Sequence, residues 1–237
     1  MKLKHITFTG IDARTDVQEL KTIQEQYPIA EFGVLTSYHW YENGNRYLDP
    51  ELLGRLYGRG LKLALHVCGQ AAHDAAGGLW NKINRLTAER LYQKLFGRVQ
   101  LNVATRKDNP AHMASTPPNT NYAELIIQQQ PGDTSLYENS RWLGKGNVSM
   151  LLDASGGQGI DTPVVPWTKG GKVGYAGGIN TDNVADKLSY LLSHPDVGDF
   201  WIDMESGVRT DDWFDLDKVR RVLAICTEVM RDLHMEG

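Results

Sequence analysis

Cysteine is nearly absent from this chain: Cys68 and Cys226 are the only two in 237 residues. Two thiols so far apart make no disulfide framework, and a reduced, cytoplasmic setting is expected. No apolar run approaches the roughly 18 to 20 residues that span a bilayer, so no membrane partner is expected. The opening MKLKHITFTG runs straight into a strand pattern and lacks the apolar stretch and cleavage site of a signal peptide. Basic charge is lacking as well. A formal net charge of −4 offers no footprint for nucleic acid. No GxGxxG follows the first strand pattern, which argues against a dinucleotide-binding sheet. No HxH or HExxH spacing is present, so the signal for a metal is weak, and neither metal nor cofactor is expected.

What is present is a regular alternation of short apolar runs and helical stretches. The runs are HITFTG (5–10), AEFGVLT (30–36), LKLALHV (61–67), RVQLNV (98–103), AELIIQQ (123–129), VSMLLDA (148–154), KVGYAGG (172–178) and DFWIDME (199–205). Their nearly continuous apolar character suits parallel strands covered by helices. Between them, Thr15–Tyr27 reads as a helix behind a threonine cap. Asp49-Pro50-Glu51 opens another, with proline at the first position and an acid near the positive dipole end. Leu79–Phe96, Thr181–Leu192 and Asp215–Leu233 supply further amphipathic stretches. The segment TRKDNPAHMASTPPNT carries adjacent prolines and leaves room for only a short helix. The expected fold is therefore α/β: one (β/α)8 TIM barrel over residues 1–237 with a shortened fourth crossover. With 41% hydrophobic residues, the chain can bury the core that such a barrel needs.

Barrels of this kind often hold phosphate with the loops after strands seven and eight. Glycine lets backbone N–H groups approach the anion, and a helix N-terminus favours its charge. Run seven ends in Ala176-Gly177-Gly178-Ile179-Asn180, and run eight in Asp203-Met204-Glu205-Ser206-Gly207-Val208. The same glycines also suit tight turns between strand and helix. Together, in this order, they predict a small phosphorylated substrate as the partner.

These ends resemble the phosphoribosylanthranilate isomerase family of tryptophan biosynthesis, whose corresponding ends read AGGL and DVSSGVE. The resemblance extends over the eight runs. Leu151-Leu152-Asp153, Gly156-Gly157-Gln158-Gly159 and Trp167 follow the family's LLD, glycine-rich loop and tryptophan. Gln100-Leu101-Asn102-Val103 stands for its QLHG, Arg46 for its arginine after strand two, and DLDKVRRVL (215–223) for its closing helix. The resemblance implies an Amadori rearrangement: a ribosylamine opens and a proton leaves C2, giving a ketose. It implies a general acid at Asp153, substrate and phosphate contacts from Gly157, Gly159, Gly177, Gly178, Asn180, Ser206, Gly207, Arg46 and Asp203, and a monomer or homodimer.

One residue departs from that pattern. The family places its general base on a cysteine at the end of strand one, in KICGIT. The stretch here is Thr7-Phe8-Thr9-Gly10-Ile11-Asp12, so Thr9 occupies the position. A threonine hydroxyl hardly ionises near neutrality, whereas a cysteine supplies a usable thiolate. Cys68, His66 or Asp12 could compensate; each also suits a structural role, as core filler, hydrogen-bonded core histidine and helix cap respectively. Asp203 and Glu205, on one face of run eight, suit substrate hydroxyls or pairing with Arg46 or Arg209. The aromatic loop Tyr38–Arg46, with Trp40, is expected to cover the substrate. Two other functions fit the same residues: a phosphosugar-binding barrel without catalysis, and a metal-dependent epimerase or lyase using His66, Asp153, Asp203 and Glu205. Schiff-base chemistry is disfavoured, because Lys62 and Lys172 stand at the starts of their runs.

Overall fold

The computed structural model describes residues 2–38, 44–47, 50–80, 95–103, 123–131, 147–169 and 171–235. Eight parallel strands close on themselves in chain order: β1 (Leu3–Thr9), β2 (Ala30–Thr36), β3 (Leu63–Cys68), β4 (Phe96–Asn102), β5 (Glu124–Gln129), β6 (Val148–Asp153), β7 (Val173–Ala176) and β8 (Phe200–Met204). Ladders join each neighbour, and β1 pairs with β8 to close the barrel. The expected (β/α)8 fold is present, and every apolar run became a strand within two residues at either end. The fourth crossover and most of the Leu79–Phe96 stretch lie outside the described residues, as does Trp40.

The helices follow from their stripes. Helix α1 (Val17–Gln26) buries Val17, Leu20 and Ile23 at helical spacing. Its cap is Asp16, not Thr15: Asp16 Oδ1 accepts from the Gln18 and Glu19 amides at 2.8 and 3.3 Å. Helices α2 (Pro50–Leu56) and α3 (Gln70–Ala76) follow β2 and β3, and α3 was not foreseen from the sequence. Helix α4 (Val184–Ser193) buries Val184, Leu188 and Leu191. Helix α5 (Leu216–Met235) buries Val219, Val222, Leu223 and Cys226 on one stripe. Among the described residues no helix is long and apolar enough to cross a membrane.

The runs that read as continuously apolar separate into two faces once the barrel closes, because successive strand residues point to opposite sides. The outward residues, among them Phe8, Phe32, Leu65, Leu101, Ile127 and Ile202, form the main core beneath the helices. Phe8 and Phe32 pack across neighbouring strands, ring centres 6.4 Å apart. The inward residues are largely polar. Thr7, Thr9, Glu31, His66, Arg98, Gln100, Gln128, Ser149, Asp153 and Asp203 are all buried. Trp201, with Ile126 and Leu151, forms a small apolar plug in the middle of that interior. Below the plug Arg98 lies over the Trp201 ring and between Glu31 and Glu124, at 3.1 and 3.2 Å. The charges of this layer are held in pairs, since a buried charge without a partner is costly.

Candidate functional site

The C-terminal ends of the strands surround a cavity of about 360 Å³. Its lining brings together most of the residues that the sequence singled out: Thr9, Arg46, His66, Cys68, Asp153, Asp203, Glu205 and the glycine loops after β6 and β7. Asn180 and Gly207, both expected to contact phosphate, do not line it. The Asn180 side chain instead bonds the Gly178 carbonyl and the Asp182 amide, fastening the turn after β7. Gly207 serves packing: a Cβ there would lie 2.0 Å from the Ile179 carbonyl oxygen. Gly178 does the same with a positive φ of 62°, its absent Cβ falling 2.3 Å from the Asp161 amide nitrogen. The glycines thus let the loops after β6, β7 and β8 lie against one another. Lys187 clamps two of them, donating to the carbonyls of Thr162 and Gly177 at 2.6 and 3.1 Å and pairing with Asp161 at 2.7 Å.

Asp153, at the end of β6, accepts four hydrogen bonds. Gln128 Nε2 and the Gly157 amide donate to Oδ2, both at 2.7 Å, and the Ser155 amide and hydroxyl donate to Oδ1 at 3.0 and 2.8 Å. The carboxylate therefore shapes the glycine loop that it begins. Gln128 and Ser155 were not singled out from the sequence. The signal for Gln128 was its position two beyond Ile126 on β5, an inward place visible only once the strand's facing is known.

On the other side of β7, Asp203 of β8 points into the same cavity. Thr9 Oγ1 donates to its Oδ1 at 2.8 Å, and His66 Nε2 stands 3.9 Å from its Oδ2. Burial raises the Asp203 carboxyl to about 7, against the opposing pull of the Thr9 bond and of Arg98. His66 is buried and neutral, its pKa lowered to about 3 by burial. Gln100 Nε2 lies 3.1 Å from His66 Nδ1 and donates to Asn102 Oδ1 at 2.9 Å, which assigns the His66 proton to Nε2, facing Asp203.

The remaining compensating groups take other parts. Cys68 ends β3 beside Asn102, whose Nδ2 donates to Sγ at 3.3 Å. Burial, with Glu205 nearby, pushes its thiol up to about 12, so few thiolates form near neutrality. Asp12 is fully buried and structural: it accepts from the Thr15 hydroxyl, the Arg14 and Phe214 amides and the Arg209 guanidinium. Arg209 lies in a hairpin of β9 (Arg209–Thr210) and β10 (Trp213–Phe214), and donates to the Gly10 carbonyl at 2.6 Å. This latch ties the loop after β1 to the segment after β8. Arg46 pairs with Glu205 at 3.1 Å and Asp212 at 2.7 Å across the mouth, as one of the sequence readings expected. Among the described residues no group of three His, Cys, Asp or Glu is arranged to hold a metal.

The fold and the cavity define a (β/α)8 barrel with acidic, neutral-imidazole and glycine-loop elements gathered at its C-terminal mouth. Neither a protein-family model nor a curated protein sequence matches the chain. Solved structures do. It is similar to N-(5'-phosphoribosyl)anthranilate isomerase from Pyrococcus furiosus, 15% identical over 94% of this chain and 98% of that one, with a TM-score of 0.51. Phosphoribosyl anthranilate isomerase from Thermococcus kodakaraensis is 14% identical over 94% and 98%, with a TM-score of 0.54. A phosphoribosyl anthranilate isomerase in complex with reduced 1-(o-carboxyphenylamino)-1-deoxyribulose 5-phosphate is 15% identical over 95% and 100%, also at 0.54. At this identity the likeness establishes the shared barrel.

Proposed function

We propose that this barrel is an acid–base isomerase acting on a phosphorylated sugar derivative, of the phosphoribosylanthranilate isomerase type. The observation that carries the reading is the joint placement of Asp153 and Asp203 on strands flanking β7, in one cavity rimmed by three interlocked glycine loops. The likeness to phosphoribosyl anthranilate isomerases over nearly their full length supports it. In this reading the backbone N–H groups of Gly177, Gly178 and Ser206 take the phosphate, while the Gly157 and Gly159 amides, bonded to Asp153 and the Ser155 hydroxyl, hold the loop beside it. Arg46 borders the substrate, and Asp153 is the general acid at the ring oxygen, exchanging a loop contact for a proton before it donates.

The test is turnover of freshly generated phosphoribosylanthranilate, followed by loss of its fluorescence, with wild type beside Asp153→Asn. Turnover that collapses in the variant supports the isomerase. A folded wild type that turns over none, whatever its affinity for phosphosugars, removes it. Thr9 at the family's cysteine position favours one competing reading, a barrel that binds a phosphosugar without converting it. Under that reading Asp153→Asn leaves ligand affinity nearly unchanged.

A further inference from the structure

The isomerase reading requires a group to remove the proton from C2, and the residues that the sequence offered for this role are poorly placed to do so. Thr9 hardly ionises, the Cys68 thiol is held at about 12, and Asp12 is spent on the Arg209 latch. His66 is neutral but faces the cavity with its Nε2–H, a donor with no lone pair to offer. Asp203 differs from all four. It stands on the strand that pairs with β1, in register with Thr7, so its carboxylate projects beside Thr9. Its Oδ1 receives the Thr9 hydroxyl, and its Oδ2 remains within the cavity near His66.

The position of Thr9 is itself determined. Opposite it in the β1–β2 register stands Gly33, where a Cβ would come within 2.4 Å of Thr9 Oγ1. With no side chain there, the threonine hydroxyl lies against bare backbone and is directed toward Asp203. A residue that cannot act as a base thus orients one that can.

From this geometry we infer that Asp203 removes the C2 proton, with Thr9 as its positioning residue, so that the base sits on β8 instead of the family's β1. The inference rests on the isomerase reading. Once the ring is open, Asp203 Oδ2 takes the proton from C2. The C2–H electron pair becomes the C1–C2 double bond, and the C1–N π pair moves onto nitrogen, giving a neutral enolamine. A proton then adds at C1 as the C2 hydroxyl loses its own, leaving the ketose; the two carboxyl groups exchange protons with water before the next cycle. The charged and titratable groups facing Asp203 are Glu31 on β2, His66 on β3, Arg98 on β4, Asp153 on β6 and Glu205 beyond its own strand. Burial outweighs the pull of Arg98, the single cation among these groups, and holds the carboxyl where proton uptake is easy near neutrality.

The experiment is a kcat and KM measurement on phosphoribosylanthranilate over pH 5.5 to 9, with wild type, Asp203→Asn, Asp203→Glu and Thr9→Val. Circular dichroism and binding of reduced 1-(o-carboxyphenylamino)-1-deoxyribulose 5-phosphate, used as the reduced product analogue, verify that each variant is folded. The expected result for Asp203→Asn is a kcat lower by about 10² to 10⁴-fold with KM changed by less than about threefold, and for Asp203→Glu a partial rescue. Wild-type kcat/KM falls below about pH 7, where the base is protonated. In Thr9→Val that limb moves to higher pH, because a donor to the carboxylate is lost. If wild type turns over and Asp203→Asn keeps a tenth or more of its kcat, the assignment of Asp203 is wrong while the isomerase stands. If wild type binds the analogue but has no turnover, the isomerase reading and this base fall together.

Discussion

A carboxyl held near 7 inside a barrel must weaken the fold at high pH, and replacing it should make that visible without any substrate. The Asp203 carboxyl rises from 3.8 to about 7 on folding. Below pH 4 both folded and unfolded chains carry the proton, and Asp203 contributes no pH dependence. Between 4 and 7 the unfolded chain has ionised and the folded one has not, so each pH unit lowers stability by about 1.4 kcal/mol. Above 7 both are ionised and the full penalty, about 4 kcal/mol, remains in place. Asparagine does not titrate. The difference in unfolding free energy between Asp203→Asn and wild type should therefore shift by about 3 kcal/mol in favour of the variant from pH 5 to pH 8. Urea unfolding followed by tryptophan fluorescence at half-unit pH intervals measures it, and other groups cancel in the difference. A constant offset across that range would mean that water reaches the carboxylate or that the barrel relaxes around it, and the argument from burial would fail. Expected together, a variant that gains stability above neutrality and loses turnover would mark Asp203 as a group kept for chemistry at the expense of stability.

Other consequences are open to test. Gly207→Ala places a Cβ against the Ile179 carbonyl, and should cost about 1 to 3 kcal/mol and weaken binding of the reduced product analogue; an unchanged melting temperature would show that the loops are not interlocked. Asp12→Ala removes the buried anion of the Arg209 guanidinium and leaves it only the half-exposed Asp212 at 3.5 Å, with an expected loss of about 3 kcal/mol in denaturant unfolding. With its thiol near 12, Cys68 should react with iodoacetamide at pH 8 at least about 100-fold more slowly than a free thiol, and Cys68→Ser should keep most of the turnover. Rapid labelling at Cys68 would restore it as a candidate base.

Much of this molecule was legible in one dimension. The eight apolar runs and their spacing sufficed for the barrel, because parallel strands buried beneath helices need outward apolar residues whatever lies inside. The glycine-rich ends after β7 and β8 and the aspartate at the end of β6 marked the mouth, since the close approach of three loops admits no side chain there. The cap of α1 was misplaced by one residue, because Thr15 and Asp16 are both competent caps and only the Asp12 side chain, by engaging Thr15, chose between them. What the chain could not reveal was the facing of each strand. Polar and apolar residues alternate within runs that look apolar throughout, and closure of β8 onto β1 decided that Thr9 and Asp203, 194 residues apart, would share a hydrogen bond. Sequence separation carries no record of that contact. The burial that lifts the Asp203 carboxyl, lowers the His66 imidazole and silences the Cys68 thiol arises from the closed barrel as a whole, so the roles of these groups were decided by tertiary structure alone.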